Sequence, residues 1–152
     1  MAPTNATTEF TLCLERTYAA PPEHVFDAWT RADAVAQWFS PTTEHAVVVT
    51  ALDARVGGRY RIEMRHQSGA VHVVSGVYQE LVPPTKIVMT WAWEGQEALG
   101  HTLVTVRLTP VGSGTQLQLL QERFPSDAAR AEHEKGWTGC FDRLTALLMN
   151  AG

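Results

Sequence analysis

The stretch FPSDAARAEHEKGWTGCFDRLTALLMN, residues 124–150, is the only segment of the chain that is long and periodic enough to form a long helix. Ser126 can cap its start, and Asp127 then lies near the positive end of the helix dipole. At 100° per residue, one broad and mostly apolar stripe contains Ala129, His133, Trp137, Cys140, Phe141, Leu144, Leu147 and Leu148. The pattern predicts an amphipathic helix that covers the core.

Two features distinguish this stretch from an ordinary core helix. His133 lies in the middle of the apolar stripe. Gly136 and Gly139 leave one flank of the helix without side chains, at a cost of about 1 kcal/mol each relative to alanine. The sequence therefore indicates a helix that leaves room beside it.

Upstream of this helix the chain reads mostly as strands. Apolar and polar residues alternate in a first strand over 9–17 and in six more over 45–52, 59–66, 71–81, 86–93, 102–108 and 115–121. The separators among the last six are short and carry Gly or Pro, as in consecutive antiparallel hairpins. Between the first two strands, the apolar spacing predicts short helices over 23–29 and 32–39, with Thr30 as the cap of the second.

A sheet with one large apolar face needs a cover, and the last helix is the only element able to provide it. We predict an α+β fold, in which a curved antiparallel sheet of seven strands wraps around the long C-terminal helix. Residues 8–150 are expected to form one domain, and residues 1–7 a loose tail. A cavity is expected wherever the side chains between sheet and helix are small.

Composition narrows the function classes. The chain has 152 residues, is 45% hydrophobic and 18% charged, and has a formal net charge of −4 with no basic run, which gives nucleic-acid binding little support. No secretory signal or membrane-spanning run is visible, so we expect a cytoplasmic protein with two free thiols, Cys13 and Cys140. The six histidines show no ligand spacing, so we expect no metal and no other cofactor.

Six short motifs follow one another along nearly the whole chain: APPEHVFDAW at 20–29, WFSP at 38–41, VGGRY at 56–60, GVYQELVPP at 76–84, TW at 90–91 and HEKGW at 133–137. Together they resemble the SRPBCC (START-like, Bet v 1-like) superfamily, and most of all its branch named after the activator of the heat-shock-protein-90 ATPase. This resemblance implies that the predicted α+β fold is the helix-grip fold. The resemblance implies a hydrophobic cavity under the C-terminal helix and often a homodimer, but no single activity. The co-chaperone that names the branch carries an additional N-terminal domain, which is not visible in this sequence, so a chaperone partner has little support.

The strand faces and the helix stripe supply the candidate cavity wall. Its predicted members are Tyr60, Ile62, Met64, Met89, Trp91, Trp93, His133, Gly136, Trp137, Cys140 and Phe141. The three Trp residues could form a wall for a flat ligand or could simply pack in the core. His133 could contact a ligand, could move a proton, or could be paired with a backbone or sheet acceptor.

Other motifs have simpler interpretations. The hydroxyl groups of Tyr60 and Tyr78 would be polar anchors on a cavity face, or would bond to the backbone. Gly57 and Gly58 precede a strand and lack the Lys-Ser/Thr tail of a phosphate loop, so they are interpreted as a bend in the sheet. No catalytic residue is assigned.

Three functions stay open at this point. The leading hypothesis is reversible binding of a small hydrophobic or aromatic molecule. The second is a cyclase, hydrolase or lyase that uses His133 and a tyrosine. The third is a protein-interaction module, co-chaperone-like or stress-related, which would need a sizeable exposed apolar patch.

Overall fold

The computed structural model describes residues 10–96 and 101–151. In chain order its elements are β1 (Phe10–Tyr18), α1 (Pro22–Thr30), α2 (Ala32–Trp38), β2 (His45–Leu52), β3 (Arg59–His66), β4 (Val71–Val82), β5 (Lys86–Trp93), β6 (Thr102–Val111), β7 (Gly114–Phe124) and α3 (Asp127–Ala151). The strands form one antiparallel sheet in the order β1-β7-β6-β5-β4-β3-β2. The predicted helix-grip fold is thus confirmed. The predicted loose tail lies outside the described residues, and the single domain over 8–150 stays a prediction.

The helix starts follow local hydrogen bonding. The Ser126 hydroxyl accepts a hydrogen bond from the Ala129 N–H at 3.1 Å, so it caps α3 as predicted. The predicted cap at Thr30 is wrong. Its hydroxyl donates at 2.8 Å to the Phe26 carbonyl within α1, while Arg31 occupies the cap position of α2 and makes no capping bond with its side chain. A threonine in the last turn of a helix can donate its hydroxyl hydrogen to a carbonyl of the preceding turn. Here this bond forms in place of a capping bond to α2.

Strand β7 continues three residues beyond its predicted end because it contains a bulge. Leu12 pairs with Gln121 and Phe10 with Phe124, so β7 has one more residue than β1 in this interval. Arg123 adopts a left-handed φ of 78°, which shifts the alternation of side chains by one. Phe124 consequently turns into the core, where strict alternation from Gln121 would have placed Arg123.

Helix α3 covers the concave side of the sheet unevenly. It packs mainly against β1, β7, α1 and α2. A Cβ built on Gly139 would lie 2.0 Å from the Pro41 carbonyl oxygen, so this glycine lets the helix approach the segment after α2. Toward β3, β4 and β5 the helix stands farther from the sheet, and long aromatic side chains span the gap. Within the described residues, no helix is both long and apolar enough to cross a membrane.

Candidate functional site

A cavity of about 650 Å³ lies between the first half of α3 and strands β2 to β5. This volume falls within the range of about 300–1,000 Å³ that is usual for small-molecule sites. Its lining consists of Pro41, Thr42, His45, Met64, His72, Trp91, Trp93, Gln96, Ala129, Glu132, His133, Lys135, Gly136, Trp137 and Cys140.

Sequence reasoning placed eleven residues on this wall, and the structure divides them into two groups. The seven that line the cavity are Met64, Trp91, Trp93, His133, Gly136, Trp137 and Cys140. The other four, Tyr60, Ile62, Met89 and Phe141, are buried in the core and do not line it. Strand alternation identifies the buried face, but it does not say which part of that face the helix covers.

Tyr60 shows why a buried hydroxyl need not face a cavity. Tyr60 is opposite Gly76 on β4, and its hydroxyl donates a hydrogen bond to the Thr90 carbonyl on β5. A Cβ on Gly76 would lie 2.0 Å from that same carbonyl oxygen, so the glycine permits the close approach of β4 and β5. The hydroxyl of Tyr60 is therefore bonded to the backbone, one of the two alternatives considered for it.

His133 connects α3 to β5. Its Nδ1 lies 2.8 Å from the Ala129 carbonyl oxygen, and its Nε2 lies 2.9 Å from Nε1 of Trp93 and 3.3 Å from Nε1 of Trp91. A carbonyl only accepts and an indole N–H only donates, so Nδ1 carries the hydrogen and Nε2 is the acceptor. All of these polar atoms are thus already paired within the protein.

Trp137 is held in place by a second buried polar connection. Its Nε1 donates at 2.8 Å to Oε1 of Gln121, whose Nε2 donates at 2.8 Å to the Thr102 hydroxyl. Thr102 in turn donates to the Trp91 carbonyl at 3.3 Å. Sequence analysis missed Gln121 and Thr102, although Gln121 follows Leu117 and Leu119 on the core-facing side of β7. A polar residue at such a position was the available signal.

The two helical glycines have different roles. A Cβ built on Gly136 meets no heavy atom within 4 Å, so this position opens onto the cavity. The flank at Gly139 is instead filled by the Pro41 carbonyl. The prediction of one bare flank therefore applies to Gly136 alone.

The comparisons with known proteins agree with this architecture. A family model described as "Activator of Hsp90 ATPase homolog 1-like protein" matches residues 19–149. The chain belongs to this family. It is 34% identical to a protein of known structure from Chromobacterium violaceum, with a TM-score of 0.84, over 91% of this chain and 96% of the other.

Two further solved structures resemble it. An AHSA1 protein from Silicibacter pomeroyi is 27% identical, with a TM-score of 0.82, over 94% of this chain and 100% of the other. A protein from Rhodobacter sphaeroides is 21% identical over 93% and 94% of the two chains, with a TM-score of 0.80, which shows the fold alone. No curated protein matches the chain at a significant level.

Burial favours the neutral forms of the titratable side chains on the inner wall. Burial lowers the pKa of His133, against the opposing effects of the Ala129 carbonyl and of Glu132. Burial likewise raises the pKa of the Cys140 thiol to about 12, so Cys140 is a neutral thiol near pH 7 and not a nucleophilic thiolate. The described residues contain no group of His, Cys, Asp or Glu able to hold a metal ion.

An aromatic layer from the two short helices supports the wall. Trp29 on α1 stacks on Trp137 with ring centroids 5.6 Å apart, and Phe39 lies 5.7 Å from both Trp91 and Trp137. These two residues lie behind the wall and do not line the cavity. Both rings pack against the Trp137 ring.

The polar rim of the cavity was not predicted. It is formed by Thr42, His45, His72, Gln96, Glu132 and Lys135. Glu132 and Lys135 fall outside the apolar stripe of α3, and the others lie near strand ends or in loops. The only signal in the sequence was their position next to the predicted wall, because nothing in their spacing points to a ligand.

Proposed function

We propose that the protein binds a small hydrophobic or aromatic molecule reversibly in the cavity between the sheet and α3. One observation carries the proposal. The inner wall includes the side chains of Trp91, Trp93 and Trp137, while the indole N–H groups of all three are bonded within the protein. Such a wall offers dispersion and hydrophobic contact and requires no polar group from the ligand.

The expected affinity is modest. A bicyclic aromatic molecule has roughly the surface of a tryptophan side chain, about 150–250 Å². Its complete burial contributes about 4–6 kcal/mol at about 25 cal/mol per Å². The loss of translational and rotational freedom opposes this term, so dissociation constants of about 0.1 mM or weaker are expected for simple probes.

Filling the cavity tests the proposal. N-phenyl-1-naphthylamine, a neutral probe whose fluorescence rises in apolar sites, is titrated into the wild-type protein and into Gly136→Leu. The open space beside Gly136 accommodates the new side chain, which then occupies the volume of the ligand. We expect at least a tenfold loss of probe affinity with the circular dichroism spectrum unchanged.

The matched control is Ala146→Leu, which places the same side chain on the exposed side of α3, outside the cavity lining. It should bind the probe like the wild-type protein. Equal binding by Gly136→Leu, or no binding by the wild-type protein at probe concentrations up to the millimolar range, would contradict the proposal.

Catalysis by His133 has no specific observation in its favour. As a base, Nε2 would have to give up the hydrogen bonds from Trp91 and Trp93, and as an acid the Nδ1–H is already donated to Ala129. We therefore propose a binding role without chemistry at this residue. His133→Gln is expected to weaken the contact between helix and sheet while leaving the cavity able to bind the probe.

The cytoplasmic location and the homodimer are also proposals, and both derive from the sequence and the family resemblance. Light scattering coupled to size-exclusion chromatography tests the second. A mass near 33.6 kDa, twice the 16.8 kDa of one chain, is expected, whereas a mass of 16.8 kDa would contradict it.

A further inference from the structure

We infer that the ligand carries a carboxylate, which binds at the rim of the cavity between Lys135 of α3 and His45 of β2. This inference rests on the proposed function, because it concerns the head group of a molecule whose apolar body fills the same cavity. It adds the charge of the ligand and the orientation in which it binds.

The inner wall excludes a buried polar head. Its polar side chains are His133, Trp91, Trp93 and Trp137, and each is bonded to another group of the protein. A polar group of the ligand placed there would lose its water without gaining a partner, which is unfavourable. The head must therefore remain at the rim.

Helix geometry places Lys135 on the side of the cavity where β2 begins. Lys135 and Gly139 are four residues apart, so they share one edge of α3. Gly139 abuts the Pro41 carbonyl, and Pro41, Thr42 and His45 all line the cavity. Lys135 lines it as well, is exposed, and forms no ion pair with any described residue.

His45, at the start of β2, supplies a second donor on this side of the rim. Nδ1 of His45 lies 2.8 Å from the Thr42 hydroxyl, whereas its Nε2 has no hydrogen bond to the described part of the chain. His45 is thus held by one nitrogen and has the other available to a ligand. An ammonium group and an imidazole N–H together form a donor pair suited to a carboxylate.

Arg143 of α3 places a positive charge near His45. Burial lowers the pKa of His45, and His66, His72 and Arg143 lower it further. Glu44 is the opposing carboxylate, and its Oε1 lies 3.0 Å from Nε2 of His66.

Glu132 is the opposing charge on the rim. It lies three residues before Lys135 on α3 and faces the same cavity, but no ion pair joins the two side chains. If Glu132 dominated, the rim would select an amine instead. Lys135 shares its side of the rim with the unbonded Nε2 of His45, a second donor, which is why we expect the carboxylate to be preferred.

A series of matched competitors tests the inference. 2-Naphthoate, 2-naphthamide and 2-naphthylmethylamine share one aromatic body and differ in the head, and each displaces N-phenyl-1-naphthylamine from the wild-type protein. We expect naphthoate to bind two- to fivefold more tightly than the amide, as is usual for a partly exposed ion pair. Decanoate is a fourth competitor that distinguishes aliphatic from aromatic carboxylates.

The variant Lys135→Gln should lose the preference for naphthoate over the amide. Arg107→Gln, which removes one positive charge from an exposed position of β6, is the matched control and should keep the preference. The preference should also weaken as salt is added.

The outcomes separate the two proposals. Equal affinity for naphthoate and amide, tighter binding of the amine, or an unchanged preference in Lys135→Gln overturns the carboxylate site but leaves binding in the cavity intact. Failure of the wild-type protein to bind the neutral probe overturns the proposed function itself.

Discussion

The two glycines of α3 provide a direct test of the cavity, because the same substitution should have opposite effects at Gly136 and Gly139. In a helix interior, alanine is more favourable than glycine by about 1 kcal/mol. At Gly136 a Cβ meets nothing within 4 Å, so Gly136→Ala should gain this amount in full. For a chain of 152 residues, that gain corresponds to a rise in Tm of about 2–4 °C.

At Gly139 the Cβ would lie 2.0 Å from the Pro41 carbonyl oxygen. This clash can be relieved only if the backbone moves. Overpacking of this kind typically costs about 1–3 kcal/mol, and occasionally more. Because the neighbour is a backbone atom, we place the cost at the upper end, and the helix propensity offsets about 1 kcal/mol of it. Gly139→Ala should therefore unfold at a lower Tm, with a net loss of about 2 kcal/mol.

Urea denaturation followed by circular dichroism and by tryptophan fluorescence measures both changes, and thermal scans check them. Equal m-values would show that the unfolded states are comparable. A destabilised Gly136→Ala would mean that the space beside this residue is occupied, and the cavity would then be smaller than described. A stabilised Gly139→Ala would refute the close contact between α3 and Pro41.

Three further predictions concern polar and titratable groups. Gln121→Met should lower the free energy of unfolding by about 1–3 kcal/mol because it leaves the Trp137 N–H without a partner. In a double-mutant cycle with Trp137→Phe, the two losses should be less than additive. The free energy of unfolding should fall as the pH drops below about 6.5, because His133 then binds a proton in the unfolded chain, whereas burial disfavours its protonation in the folded chain. The slope contributed by this group is at most about 1.4 kcal/mol per pH unit, and His133→Gln should make the measured slope shallower. A thiol reagent such as 5,5′-dithiobis(2-nitrobenzoate) should react with one thiol per native chain, the exposed Cys13, and with Cys140 only after denaturation.

The fold was accessible from the sequence because its signals are periodic. Alternation in the strands and the 3.6-residue stripe of α3 mark the buried faces directly. The end of β7 was not accessible in this way, because a left-handed residue at Arg123 shifts the alternation and brings Phe124 into the core. Such a bulge arises from pairing with β1, and the local pattern contains no trace of it.

The site could be predicted from the sequence only in part, because only some of its residues interrupt a regular pattern. His133 and Gly136 stood out because each breaks the pattern of a core helix. The rim residues His45 and Lys135 break no pattern, since polar residues at strand ends and helix flanks are ordinary. Both line the same cavity because of how far α3 stands from β2, and contacts such as Gly139 on Pro41 help to set that distance.

The polar contacts around the cavity explain how it can stay open. An apolar gap of this size forfeits dispersion contacts and would be smaller if its walls could move together. Trp137 is tied to β7 by Gln121, and His133 is tied to β5 by two indole N–H groups. Buried polar bonds of this kind fix positions, because moving a wall inward would leave a donor or an acceptor unpaired. The side chains that give the cavity its apolar faces are therefore also the ones that hold those faces apart, with Gly136 leaving the space between them unfilled.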